Sequence, residues 1–279
     1  MANIIDAIYN LVTDPCFDLN RVGESKNRIN SVGDALEHYV KDMFAGTVRA
    51  NNLTRRNKWS EVFSYTGNTS NPPDAMLRNG DAIEIKKIET DRAQLALNSS
   101  YPHQKLYSTS EMISEACRNA EEWSEKDMIY CVGTVKKNQL TNLVMVYGLD
   151  YCASEGTYTK IRNNVRNGIA EIPCVELAQT NELARLNRVD PLGITYLRVR
   201  GMWGIEHPER AFDYIYEKHG KKFNFMCIIN EEKYYSFYNR EIIEKLLGKV
   251  EGFEIKDVEI KNPDNPVQYR KSKLITYER

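Results

Sequence analysis

The sequence lacks several features that would assign it to a class at once. Its six cysteines show no Cys-x-x-Cys spacing and its four histidines form no paired cluster, so it predicts neither a zinc site nor a disulfide scaffold. No apolar run reaches the length of a membrane span. The N-terminal stretch MANIIDAIYNLV contains Asp6 and no basic leader, which favours an amphipathic helix over a signal peptide. The cytoplasm is therefore the expected compartment.

The chain also lacks an excess of charge of either sign. Its 279 residues carry a formal net charge of -1, so it presents no global basic field, and binding to nucleic acid would need a local concentration of Lys and Arg. Apolar residues make up 42% and charged residues 28%, which is typical of a folded globular protein and excludes a largely disordered one.

Hydrophobic periodicity predicts interleaved helices and strands. Helices are expected over about residues 4–11, 32–44, 111–123, 158–165, 209–218 and 240–247. Strands are expected over about residues 61–65, 82–88, 128–135, 142–149, 194–200, 223–230 and 253–261. Because the pattern has no strict βαβ rhythm and no repeat, it predicts one α/β domain with a central mixed β-sheet flanked by helices.

The tripeptide Glu-Ile-Lys occurs three times, at Glu84-Ile85-Lys86, Glu254-Ile255-Lys256 and Glu259-Ile260-Lys261. On a strand, side chains alternate between faces, so in each copy the Glu and Lys share one face. A half-buried strand with a charged outer face has the same pattern, and most short motifs of this kind are only that.

The first copy differs from the others in its context. It alone follows a Pro73-Asp74 pair, and the turn-forming RNGD between them predicts a hairpin that brings Asp74 near Glu84 and Lys86. Two carboxylates and a lysine suit metal-assisted phosphodiester hydrolysis, because carboxylates bind Mg²⁺ and a lysine stabilises charge on the phosphate. The later copies fit a charged edge strand.

Glu37 is a candidate third carboxylate. In VGDALEHYVKDMF a helical wheel groups Leu36, Tyr39, Val40, Met43 and Phe44 into an apolar stripe, and Glu37 lies at its edge. A partly buried acid is usually paired, although a boundary glutamate that reaches water would produce the same pattern.

These residues resemble the PD-(D/E)xK nuclease superfamily, and more closely the NgoPII-type type II restriction endonucleases. The resemblance runs in order from near residue 33 to the C-terminus, through the segments GDALEHYVKDMF, FSYTGNTSNPPDAMLRNGDAIEIKKIE, LALNSSYPHQKL, MVYGLDYCAS, RVDPLGITYLRVRGMWGIEHP and LITYER. It implies a restriction endonuclease-like fold, with a catalytic core over about residues 32–150 and DNA recognition over about 151–279.

The resemblance also implies an activity and its partners. It points to Mg²⁺-dependent cleavage of double-stranded DNA, with Mn²⁺ able to substitute, at the palindrome GGCC, leaving 5′-phosphates. A palindrome suits a two-fold homodimer, and a DNA methyltransferase would protect host DNA as a functional partner. Carried over by motif, Asp74 and Glu84 become metal ligands, Lys86 the catalytic lysine and Glu37 an accessory acid.

Two segments are candidate DNA contacts. The loop LNSSYPHQKL offers Asn98, Ser99, Ser100, His103 and Lys105 beside the catalytic strand, although a capped loop before a helix would have a similar composition.

In TYLRVRGMWG, Arg198 and Arg200 share a strand face, and arginine is the usual bidentate partner of guanine. Solvated surface charge is the alternative interpretation of both arginines. For the whole chain, a structure-specific repair or recombination nuclease and a non-catalytic DNA-binding module remain open alternatives.

Overall fold

The computed structural model describes residues 1–19, 32–97, 100–173, 176–180 and 182–279, with the side chains of 32–34 left aside. Its helices are α1 (Ile4–Thr13), α2 (Val32–Ala45), α3 (Asn52–Val62), α4 (Glu115–Arg118), α5 (Gly148–Tyr151), α6 (Glu155–Ala170), α7 (Pro208–Ala211), α8 (Glu231–Ser236) and α9 (Glu241–Glu244). Its strands are β1 (Phe63–Tyr65), β2 (Ala75–Leu77), β3 (Ala82–Ile88), β4 (Leu95–Ala96), β5 (Lys105–Tyr107), β6 (Glu125–Lys136), β7 (Gln139–Tyr147), β8 (Glu176–Leu177), β9 (Ala184–Asn187), β10 (Leu197–Val199), β11 (Gly204–Ile205), β12 (Asn224–Asn230), β13 (Phe253–Asn262) and β14 (Asn265–Glu278).

A large mixed sheet runs through the described chain in the order β1-β2-β3-β6-β7-β12-β14-β13, and β5 adds to β6. The pairs β3/β6 and β7/β12 are parallel, while the remaining pairs are antiparallel. Two smaller sheets lie outside it, β10-β9-β8 and β11-β4. The predicted α/β domain with a central mixed sheet and flanking helices is confirmed.

The sheet separates two apolar cores. Ile83 and Ile85 of β3 point into the core that also contains the buried faces of α1 and α2. Met128 and Tyr130 of β6 point into the other core. Since alternate residues of a strand face opposite sides, Glu84 and Lys86 lie on the second side, next to Tyr130, which pairs with Glu84.

The apolar stripe predicted for α2 is confirmed, because the five residues of the stripe are all buried. The helix also buries a charged residue outside this stripe. Asp42 is fully buried and accepts hydrogen bonds from Thr47 Oγ1 at 2.5 Å, Arg55 Nε at 2.9 Å and Trp59 Nε1 at 3.0 Å. Arg55 and Trp59 belong to α3, which the pattern did not predict, and their donors allow the carboxylate to be buried.

Several predicted elements are shorter than expected. The helices predicted over 111–123 and 209–218 are reduced to α4 and α7, and the strand predicted over 194–200 is reduced to β10. In contrast, β14 was not predicted, although it pairs with both β12 and β13. The first half of β14 is mostly polar, so its sequence does not indicate a strand. Its pairing with β13 makes it one.

Among the residues that the structure describes, no helix combines the length and apolar character that crossing a membrane requires. The longest described helix, α6, has 16 residues and includes three cationic side chains. None of the cysteines in the described ranges forms a disulfide.

Candidate active site

The hairpin predicted around RNGD is present. Strands β2 and β3 pair antiparallel, with Ala75 opposite Ile83, and the turn closes through the Leu77 amide, which donates to the Asp81 carbonyl at 2.9 Å. Asn79 takes a left-handed φ of 54°, a conformation that asparagine tolerates in turns. The hairpin therefore returns the chain from Asp74 to the middle of β3.

Asp74 is joined to β3 by two hydrogen bonds. Its amide donates to the Ile83 carbonyl at 3.0 Å, and its Oδ2 accepts from the Ile85 amide at 2.6 Å. The carboxyl group is thus held beside the strand that carries Glu84 and Lys86. The Pro73-Asp74 pair and the Glu-Ile-Lys motif therefore meet across one hairpin.

Glu84 and Lys86 project from the same face of β3 and form an ion pair, with Lys86 Nζ 2.7 Å from Glu84 Oε1. Their side chains are only 14% and 22% exposed. Asp74, Glu84 and Lys86 all line one cavity of about 210 Å³. Three of the four residues selected from the sequence for the catalytic site are therefore brought together in a partly enclosed pocket.

The pocket perturbs the pKa values of its acids. Burial raises the pKa of Glu84 to about 7, the neighbouring carboxyl of Asp74 adds to the rise, and Lys86 opposes it. Burial also raises the pKa of Asp74, against the hydrogen bond from Ile85 and the charges of Lys86 and Lys41. Although burial works in the other direction, Glu84 and then Asp74 raise the pKa of Lys86, which keeps it cationic. Such shifts in a cleft are typical of functional sites.

The donor set fits a divalent cation. Glu84 Oε2 is buried and has no hydrogen-bond partner within the described residues, and a buried carboxylate oxygen without a partner is costly unless a cation binds it. Asp74 supplies a second carboxylate at the same pocket. No group of three or more His, Cys, Asp and Glu side chains in the described ranges could hold a metal ion. Two carboxylates are nevertheless a common protein contribution to Mg²⁺, which keeps several waters and binds phosphate oxygens.

Glu37 lies close enough to raise the pKa of Glu84. Its side chain is 38% exposed, and its Oε2 lies 3.5 Å from Lys41 Nζ, one helical turn away. Lys41 is itself buried and donates to the Thr66 carbonyl at 2.9 Å. Lys41 was not among the residues selected from the sequence. The signal available was its position four residues after Glu37.

The loop between β4 and β5 contributes two of the predicted DNA contacts to the same cavity, Ser100 and His103. Ser100 Oγ lies 2.8 Å from His103 Nε2, and the His103 amide donates to Tyr130 Oη at 2.7 Å. Burial lowers the pKa of His103 to about 4, so its imidazole is neutral at neutral pH. Asn98 and Ser99 lie outside the described residues.

The other predicted contacts lie apart from the catalytic cavity. Lys105 is paired with Glu125 at 2.5 Å and lines an adjoining cavity instead. Arg198 and Arg200 point in the same direction, as predicted: both form ion pairs with Glu182, at 2.5 and 2.7 Å. Glu182 was not considered in the sequence, and it neutralises part of the charge that was expected to face DNA.

Comparison with known proteins gives concordant matches. The family model described as NgoPII restriction endonuclease matches residues 2–261. A curated relative, the type II restriction enzyme NgoPII of Neisseria gonorrhoeae, is 54% identical over 278 residues, which cover 99% of each chain. No solved structure matches the chain significantly.

Proposed function

Since the chain belongs to the NgoPII restriction endonuclease family and is thus a type II restriction endonuclease, we propose that it hydrolyses both strands of double-stranded DNA within the palindrome GGCC and leaves 5′-phosphate ends. The observation that carries the assignment of the active site is the buried Glu84 carboxylate. It combines an oxygen that finds no hydrogen-bond partner in the described part of the chain, a pKa of about 7 and contact with Lys86 in the cavity that Asp74 also lines.

Asp74 and Glu84 would hold Mg²⁺, with Mn²⁺ as a substitute. When bound, the cation supplies Lewis-acid polarisation of the scissile phosphate and lowers the pKa of water. The hydrogen bond from the Ile85 amide to Asp74 supports this role, because it fixes the direction of the carboxylate before a ligand arrives.

Lys86 is the proposed catalytic lysine. Its ammonium group lies on the pocket side of β3 and stays protonated beside Glu84, so it can donate a hydrogen bond to a phosphate oxygen whose charge grows in the transition state. Glu37 is proposed as an accessory acid that acts through Lys41 and the field at Glu84, which agrees with its partial exposure and its ion pair.

Ser100 and His103 are proposed as DNA contacts at the scissile phosphate, with Asn98, Ser99, Lys105, Arg198 and Arg200 as further contacts. A homodimer would give one active site to each strand of the palindrome. The catalytic core would cover about residues 32–150 and DNA recognition about 151–279. The enzyme would act in the cytoplasm beside a methyltransferase that protects the same sequence.

The test is digestion of an unmethylated, sequenced plasmid by the purified protein with Mg²⁺. Discrete fragments whose sequenced ends lie within GGCC and carry 5′-phosphates are expected. Fragments from another sequence would contradict the GGCC specificity alone. Cleavage without sequence preference, or only of branched DNA, would instead indicate a structure-specific nuclease, and no cleavage across several salt concentrations would contradict the proposed activity.

A further inference from the structure

Helix α6 stands out because it buries none of its 16 residues. Most helices in globular proteins owe their stability to an apolar face packed on a core, as α1 and α2 do here. Helix α6 is instead fastened at its N-terminal end, where Tyr101 Oη donates to Glu155 Oε1 at 2.7 Å and the Tyr101 and Tyr158 rings stack at 5.6 Å. Farther along the helix, residues 163–168 are all exposed.

The helix stands beside the catalytic cavity. Ser100, Tyr101 and His103 line both that cavity and an adjoining one of about 460 Å³. Thr159 and Arg162 of α6 form part of the wall of the adjoining cavity. A groove therefore extends from Asp74, Glu84 and Lys86 to α6, with Tyr101 between them.

One face of α6 continues this wall. Arg166 follows Arg162 by four residues and Thr159 by seven, so the three side chains share a side of the helix. Arg166 is exposed. Lys160 lies two residues before Arg162 and projects in a different direction, since residues two apart on a helix do not face each other.

The charge on α6 matches a polyanion. The helix carries three cations, Lys160, Arg162 and Arg166, against one acid, Glu155, which gives +2 on a chain whose total is -1. Three asparagines and two threonines add hydrogen-bonding groups. Arginine side chains beside a cleavage pocket suit DNA phosphates, to which they donate paired hydrogen bonds.

Building on the proposed function, we propose that the Thr159–Arg162–Arg166 face of α6 is a docking surface for the DNA backbone next to the scissile phosphate. DNA held there would lie along the groove and reach Ser100, His103 and the carboxylates. This surface is distinct from Arg198 and Arg200, whose guanidinium groups are engaged with Glu182.

The experiment compares Arg166→Ala with the matched variant Lys160→Ala, which removes one charge from another side of the same helix. Binding to a short duplex containing GGCC is measured in chelator at several salt concentrations, so that neither metal nor cleavage enters. Arg166→Ala is expected to weaken binding about ten-fold and to reduce the salt slope by about one, as loss of a phosphate contact does. Lys160→Ala should stay within about two-fold of wild type.

Equal effects of the two variants would overturn the docking surface, because both would then act only through overall charge. The absence of any effect of Arg166→Ala would overturn it too, because Arg166 would then make no contact with DNA. A loss of self-association in Ile161→Asp, together with normal DNA binding by Arg166→Ala, would also overturn it and identify α6 as a contact between copies of the chain. Wild-type digestion of the plasmid with Mg²⁺ is scored separately. If wild type cuts but Arg166→Ala binds normally, the docking surface fails and the proposed function stands.

Discussion

Two strands of the same sheet carry the tripeptide Glu-Ile-Lys in different surroundings. In β3, Lys86 and Glu84 form an ion pair of 2.7 Å with side chains 22% and 14% exposed. In β13, Lys256 and Glu254 form one of 2.5 Å with side chains 61% and 56% exposed. The two copies share the same tripeptide and the same kind of ion pair, so neither feature alone can make a catalytic site.

The difference lies in what surrounds each pair. β3 is an interior strand, flanked by β2 and β6, and Asp74 lies across the hairpin. β13 is an edge strand, and among the described residues its one neighbour in the sheet is β14. Removal from water raises the carboxyl pKa of the β3 pair and leaves a buried Glu84 oxygen with no partner among the described residues, whereas water screens the β13 pair. Burial beside a second acid is therefore what distinguishes the proposed catalytic copy from the other.

The largest difference is expected in cleavage. Lys86→Ala should reduce the rate of plasmid cleavage by about a hundred-fold or more, because it removes a preorganised donor to the charge that develops on phosphate. Lys256→Ala should cut at the wild-type rate. Both rates are measured under single-turnover conditions, with circular dichroism as a check on folding. A folded but inactive Lys256→Ala protein would show that the wrong copy was selected.

The second-largest difference between the two Glu-Ile-Lys copies is expected in metal binding. Titration calorimetry with Mg²⁺ is expected to give a binding heat for wild type and Glu254→Gln and none for Glu84→Gln. Because the Glu84 carboxyl must lose its proton to bind a cation, and its pKa is about 7, affinity should be roughly ten-fold lower at pH 6 than at pH 8. Uptake by Glu84→Gln equal to that of wild type would exclude Glu84 as a ligand.

Stability without metal should depend on pH through Glu84. Its folded-state pKa of about 7 lies above the ordinary value of 4.5, so between these values the folded chain retains a proton that the unfolded chain has lost. The free energy of unfolding therefore falls as pH rises from about 4.5 to 7, by on the order of 1 to 3 kcal/mol. Urea unfolding in chelator should show this fall in wild type and Glu254→Gln, and a flatter profile in Glu84→Gln. Parallel profiles for all three proteins would contradict the raised pKa.

The comparison also explains how much could be predicted from the sequence. The β2–β3 hairpin was predictable because its turn is encoded locally in RNGD, and the stripe of α2 because its period is local. Helix α3 was missed because it has little apolar periodicity and is held through Arg55 and Trp59, which bind Asp42. Such a contact depends on two helices at once.

Partners distant in sequence limited the prediction of the site as well. Asp74 could be joined to Glu84 because one hairpin connects them. No local sequence pattern linked Arg198 to Glu182, with which it forms an ion pair. None linked the buried Lys41 to Asp74, whose pKa it lowers. The contact of Asp74 with β3 was predicted because one short-range element builds it.

The smallest effect is expected for the stability of the exposed copy. Lys256→Ala should change the free energy of unfolding by less than about 0.5 kcal/mol, because an exposed ion pair gains little Coulomb energy in water and costs side-chain entropy. Urea unfolding at low and high salt measures it, and salt should remove even this small difference. A loss above about 1 kcal/mol would mean that the Lys256–Glu254 pair helps to hold β13 on β14, and the β13 copy would then have a structural role rather than forming only a solvated edge.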